Sequence, residues 1–161
     1  MIRIEWTDQA LDRVVWTDHG TAVIWEDRAL ALEDGIYSKL TNAATITALV
    51  DYRIYPGFLP QDAAMPAISY WRVTGAREHG QGTDPGVAEP VIQFDIWAAA
   101  YPAAQNIGDA LRTLLQDGRG TWGSTTVIGV LYQGDTHLYE SDQKRHHIAA
   151  EYNIWHLESR T

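Results

Sequence analysis

Six histidines, twenty-one aspartates and glutamates and no cysteine define the chemistry open to this 161-residue chain. Three imidazoles or carboxylates converging on a point would hold a metal ion, and two carboxylates facing across a cleft would cleave a glycosidic bond. The spacing favours neither. No two histidines stand in a His-x-x-x-His pair, and His146 and His147 are neighbours in a segment that reads as a strand, which sends them to opposite faces. Asp95 lies mid-strand beside Trp97 on the less apolar face, yet nothing in the spacing singles out a carboxylate partner for it. A hydrogen-bonding role, solvated or at an interface, suits it better. The glycine-rich stretch 75–86 is not a phosphate loop: after Gly75-Ala76-Arg77-Glu78-His79-Gly80 comes Gln81-Gly82, where Lys and then Ser or Thr would be needed. There is no Gly-x-Ser-x-Gly elbow. The lack of cysteine excludes disulfides and thiolate metal sites and removes one class of nucleophile. No catalytic constellation, cofactor or metal is expected.

The bulk properties narrow the class further. A chain of 161 residues suffices for one compact domain, and 45% apolar with 20% charged residues is ordinary for a soluble globular protein. No apolar run approaches the roughly 18 residues that cross a bilayer. The opening Met1-Ile2-Arg3-Ile4-Glu5-Trp6 lacks the basic and then apolar regions of a signal peptide, so synthesis and folding in a cytoplasm are expected. A net charge of −9 argues against gripping nucleic acid by its phosphates. Acidity would suit the wall of a channel through which DNA slides without binding, and equally serves solubility alone. Seven tryptophans are many for this length, and indoles are favoured at interfaces.

These residues must be held by regular elements. Residues 1–26 read as an extension, with strands Val14–Thr17 and Thr21–Trp25 around an Asp18-His19-Gly20 turn. An isolated hairpin is marginal in water, so this segment must dock or stay mobile. From Glu26 to Asn42, Ala29, Leu32, Ile36 and Leu40 recur at helical spacing, although Gly35 inside the run costs about 1 kcal/mol. A short helical turn follows at Thr45–Val50, then a brief extended piece at Arg53-Ile54-Tyr55 ended by Pro56-Gly57. Strands are predicted over Ala67–Thr74 and Glu89–Ala99, joined by a long hairpin tip at 75–87. A helix is predicted over Tyr101–Asp117, with Pro102 in its first turn and Gly118 ending it. Thr125–Gln133 reads as a strand with Thr126, Ile128, Val130 and Tyr132 on one face, and a separate extended piece follows Gly134-Asp135 near His137–Glu140. Arg145–His156 closes the chain as a strand.

The order implies an α+β fold: an antiparallel sheet of about four main strands with two helices packed on one face, preceded by the hairpin-like extension. Residues 27–161 form the domain. Trp71, Trp97 and Trp155 each fall on the more polar face of their strands, Trp71 with Ser69, Trp97 with Gln93 and Asp95, Trp155 with Glu151 and Asn153. A face turned only to water should not carry three indoles. Either the N-terminal segment or a neighbouring subunit covers it, or the indoles merely cover the ends of the domain's own core.

A resemblance emerges from these segments. Leu32-Glu33-Asp34-Gly35-Ile36-Tyr37-Ser38-Lys39-Leu40, then Ala48-Leu49-Val50, Arg53-Ile54-Tyr55-Pro56 and Pro60-Gln61-Asp62-Ala63-Ala64-Met65-Pro66-Ala67-Ile68 resemble the opening of the tail completion or tail terminator proteins of long-tailed bacteriophages. Gln93-Phe94-Asp95-Ile96-Trp97-Ala98, Ala110-Leu111-Arg112-Thr113-Leu114-Leu115, Leu138-Tyr139-Glu140 and Tyr152-Asn153-Ile154-Trp155 continue the likeness, which covers about residues 27–157. Residues 1–26 have no counterpart in it. The resemblance implies a non-enzymatic virion subunit, similar to the lambda tail terminator. Such a subunit forms a ring, usually of six, that caps the tail tube, meets the head connector and lets DNA through. A ring needs a heterologous interface, for which the face bearing Trp71, Asp95, Trp97 and Trp155 is the candidate. The tip carrying Arg77, Glu78, His79, Gln81 and Asp84 is the candidate docking loop for tube or connector. Residues 1–26 are a candidate assembly arm. The rivals are another neck or tail component and, in a different class, a small α/β ligand-binding domain or hydrolase with an acidic pocket.

Overall fold

The structure, a computed structural model, describes residues 3–4, 13–18, 21–26, 31–77 and 85–158. The chain divides into two compact units, Met1–Ala31 and Leu32–Thr161. In the first, strands β1 (Arg3–Ile4), β2 (Arg13–Asp18) and β3 (Thr21–Glu26) form an antiparallel sheet in that order. β2 and β3 are the expected hairpin strands, with Asp18 opposite Thr21. The turn residues His19 and Gly20 lie outside the described residues. β1 is too short to carry a periodic signal, and nothing in the sequence predicts it.

The second unit is α+β, as expected, but richer than four strands and two helices. Its helices are α1 (Ala31–Thr41), α2 (Ala44–Val50) and α3 (Tyr101–Leu115). Its strands are β4 (Ile54–Pro56), β5 (Ala67–Thr74), β6 (Val87–Ala88), β7 (Val91–Ala98), β8 (Gly120–Trp122), β9 (Thr125–Glu140) and β10 (Arg145–Leu157). The sheet order is β4-β5-β7-β10-β9-β8, with β6 paired to the end of β10. β4 runs parallel to β5, and the other pairs are antiparallel. Of the elements that raise the count, α2 and β4 are the expected helical turn and brief extended piece, while β6 and β8 are two and three residues long, too short for hydrophobic periodicity to register.

One face of this sheet and the three helices enclose the core. The β7–β10 register sets Ile96 opposite Ile148, Phe94 opposite Ala150 and Ile92 opposite Tyr152, all buried. Leu32, Ile36 and Leu40 of α1, Ile46 and Val50 of α2, and Ala104, Ile107, Leu111 and Leu115 of α3 close over them. The expected stripes of α1 and α3 are thus core, each fully buried Leu or Ile contributing about 2 kcal/mol. Ala29 and Leu30, expected in the first stripe, lie outside the described residues.

Three expectations are corrected. α3 does not end on Gly118: Asp117 takes the positive φ of 57°, and Gly118 is small because a Cβ there would lie 2.9 Å from the Trp122 ring and 2.8 Å from the Leu115 carbonyl oxygen. β9 does not break at Gly134-Asp135 but continues to Glu140, absorbing one extra residue at Gln133 and another at Ile128 as bulges. The bulge at Ile128 also changes the expected facing, so that Val127 and Val130 are buried while Ile128 is 39% exposed. Finally, the strand predicted over Glu89–Ala99 is trimmed to β7, which starts only after Pro90 because proline has no N–H to give the ladder, and the end of the predicted tip forms the separate short strand β6 against β10.

Candidate assembly surface

The sheet face turned away from the helices carries most of the residues singled out from sequence. Alternation along β5, β7 and β10 sends Ser69 and Trp71, then Gln93, Asp95 and Trp97, then Arg145, His147, Ala149, Glu151, Asn153 and Trp155 to this side. The ladder sets Asp95 opposite both Ser69 and Ala149, and Trp97 opposite His147.

Asp95 is buried although it stands on the outer face, because its neighbours fold over it. Its Oδ1 accepts from Gln93 Nε2 at 2.7 Å and meets His147 Nε2 at 2.7 Å, while Oδ2 accepts from Trp71 Nε1 at 3.2 Å. The His147 ring lies flat on Trp97, centroids 3.8 Å apart and planes 10° apart. Arg145 sits over the same indole with its guanidinium carbon 4.4 Å from the centroid, and its Nε donates to Glu140 at 2.6 Å. Trp97 Nε1 in turn donates to Ser69 Oγ at 3.2 Å. Residues from β5, β7, β9 and β10 are thereby tied into one polar and aromatic layer.

Of the four candidate interface residues, Trp71, Asp95 and Trp97 are brought into this layer. Trp155 shares the face but lies at the far end of β10, opposite Gly129, where a Cβ would stand 3.7 Å from its ring. Trp71 remains 42% exposed. The face also carries exposed Leu131 and Leu138 of β9, opposite Asn153 and His147. Sequence reasoning missed both, because a bulged strand does not keep period two.

Of the docking loop, only Arg77 is described; Glu78, His79, Gln81 and Asp84 lie outside the described residues. Arg77 holds Glu158 through two nitrogens, at 2.9 and 3.3 Å, and bridges to Ala88. This pair holds the Glu158 carboxyl below the usual range. The near end of the predicted tip is therefore anchored to the end of β10.

Elsewhere, His146 points to the opposite side from His147, against Tyr101 and Tyr139. With His137 these rings line an open cleft of about 250 Å³. Among the described residues no three His, Asp or Glu side chains converge on a point fit for a metal ion. Burial pushes the hydroxyls of Tyr70 and Tyr152 far above their ordinary pKa, and the Tyr70 hydroxyl donates to the Glu33 carbonyl at 2.8 Å, fastening β5 to α1. Another exposed aromatic, Phe58, follows β4 and is 91% exposed. No periodic pattern marks it, since it lies in the irregular stretch between Gly57 and Pro66.

Among the described residues Asp95 is the one buried acid, and around it this face leaves Trp71, Leu131 and Leu138 exposed. Residues 34–157 match the family model described as "Tail completion protein gp17". The match spans most of the chain, which belongs to this family of phage tail structural proteins, components of the virion. Among solved structures, a chain from the "Virion of native gene transfer agent (GTA) particle" has the same fold, with a TM-score of 0.63 and 16% identity, over 81% of this chain and 98% of that one. No curated protein matches the sequence. No helix among the described residues is long and apolar enough to cross a membrane.

Proposed function

We propose that the chain closes the tail tube as a homo-oligomeric ring, most simply a hexamer, that joins the tube to the head connector and lets DNA through its lumen. It performs no reaction. The observation that carries this reading is the outer sheet face, where Trp71, Leu131 and Leu138 stay exposed around the satisfied Asp95–His147–Trp97 layer. A carboxylate with both oxygens engaged is a poor acid–base catalyst but a good scaffold for a flat, rigid contact. The side-to-side contact in the ring uses Trp71, Asp95, Trp97 and Trp155. The tip from Arg77 through Glu78, His79, Gln81 and Asp84 meets the tube or the connector, and residues 1–26 act as an assembly arm. A net charge of −9 keeps the lumen wall from holding the phosphates of passing DNA.

The test is to image the purified full-length chain by negative stain and weigh it by native mass spectrometry, alone and mixed with completed tails from the same particle. A ring that caps those tails is expected. A monomer that does not bind tails removes the reading.

A further inference from the structure

The two edges of the seven-stranded sheet are unequal. At one edge β4 spans only Ile54–Pro56 and carries a proline, a form that resists further pairing. At the other, β8 covers β9 only from Thr125 to Val127. The end of α3 covers the next stretch: Asp117 N–H donates to the Val130 carbonyl at 3.1 Å, and Gln116 Oε1 accepts from Tyr132 N–H at 2.9 Å. From Gly134 to Glu140 no described residue pairs with the outer side of β9.

The ladder fixes which groups lie bare. Ile154 N–H donates to Pro90, so even-numbered residues of this part of β10 face β7 and odd-numbered ones face β9. Glu151, Ala149, His147 and Arg145 therefore bond Gly134, Thr136, Leu138 and Glu140. Asp135, His137 and Tyr139 turn their N–H and C=O outward. This stretch contains neither lysine nor proline, and it exposes Leu138 to 51% and Tyr139 to 57%. An edge of this kind invites a strand from another chain.

We propose that the edge Gly134–Glu140 receives strand β3, Thr21–Glu26, from a second copy of the chain. β3 is itself an edge that pairs only with β2 among the described residues, and its six residues contain no proline, glycine or lysine. Its six residues fit within the seven-residue bare edge. A sheet of three short strands is too small to form its own core and gains most by joining a larger one. Donor and acceptor are different surfaces, so each copy gives one strand and takes one, which is the heterologous contact a closed ring needs. The inference thus rests on the ring reading and adds a strand exchange beside its outer-face contact.

The experiment uses the full-length chain, 18.0 kDa per copy, weighed by native mass spectrometry. Tyr139→Pro removes an outward N–H that the β9–β10 ladder does not use, and Leu138→Lys places a charge on the edge and keeps every backbone group, so it serves if the proline variant misfolds. Ile24→Pro disables the donor. The wild type should give rings, and each variant alone should lose them and appear as single copies. An equimolar mixture of Ile24→Pro and Leu138→Lys should give dimers and nothing larger, because only one junction per pair remains. Undiminished rings in a folded Leu138→Lys variant, or a mixture that stays monomeric, overturns the strand exchange and leaves the ring reading standing. Wild-type open chains or dimers that these same variants abolish support the strand exchange and overturn the ring. A wild type that is monomeric alone and does not bind completed tails overturns both.

Discussion

Gly35 in α1 sits so close to the β8–β9 turn that a Cβ at this position would lie 2.5 Å from the main-chain oxygen of Trp122. A glycine that costs helix propensity is here what lets the helix reach the sheet. Gly35→Ala should therefore destabilise the fold by about 1–3 kcal/mol instead of stabilising the helix, because the obstacle is backbone and cannot rotate away. A shift of the urea midpoint to lower concentration at constant slope checks this. An unchanged or raised midpoint would show that the turn yields freely.

The outer-face layer depends on one acceptor. Asp95→Ala leaves the donors on Gln93, His147 and Trp71 without their carboxylate. The expected loss is about 2–4 kcal/mol of unfolding free energy. Trp71→Phe removes only a 3.2 Å bond from a partly exposed ring and should cost about 1 kcal/mol or less. Denaturant titration of the two variants side by side measures the difference, and equal costs would mean the layer does not hinge on Asp95.

Acid stability should carry the mark of His156. Burial pushes its pKa below the ordinary 6.5, with nearby Arg72 adding to the effect and a weak bond to the Leu157 carbonyl opposing it. Its Nε2 is buried without a partner among the described residues. Since the unfolded chain takes up this proton first, stability is full above about pH 6.5 and falls as pH drops from there toward the folded-state pKa. Glu158 acts lower: its folded pKa is depressed, so its contribution is present above 4.5 and is lost as pH falls through that depressed value. Denaturation midpoints measured between about pH 7 and 5 should decline less in His156→Phe than in the wild type. Parallel curves would assign the decline to other groups.

Phe58 should matter to assembly and not to folding. Phe58→Ser removes a ring that is 91% exposed, so the melting temperature should stay within the equivalent of about 0.5 kcal/mol. If the ring anchors a partner in the particle, the same variant should cap tails less completely than the wild type in a reconstitution assay. Capping at wild-type yield would show that the residue is spare surface.

The alternation of Ile92, Phe94 and Ile96 against Gln93, Asp95 and Trp97, and the stripe of Ile107, Leu111 and Leu115, were enough by themselves to assign β7, α3 and the face each buries. Period two and period 3.6 are local properties of the chain, and burial follows them wherever the element is long enough to repeat. The same locality placed Trp71 and Trp97 on the outer face and kept His146 and His147 apart.

What tertiary structure alone decided are the features made by residues distant in sequence. That Gly35 and Gly118 are small because of Trp122, and not to break helices, is a matter of packing between elements. The bulges that carry β9 through Gly134 to a bare edge arise from its pairing with β10, and no composition rule announces them. Asp95 found its partners not in another acid at a recognisable spacing but in Trp71 and His147, 24 and 52 residues away, because neighbouring strands bring their side chains together by register. Local pattern chooses the face on which a residue lies; only the assembled sheet chooses its neighbours.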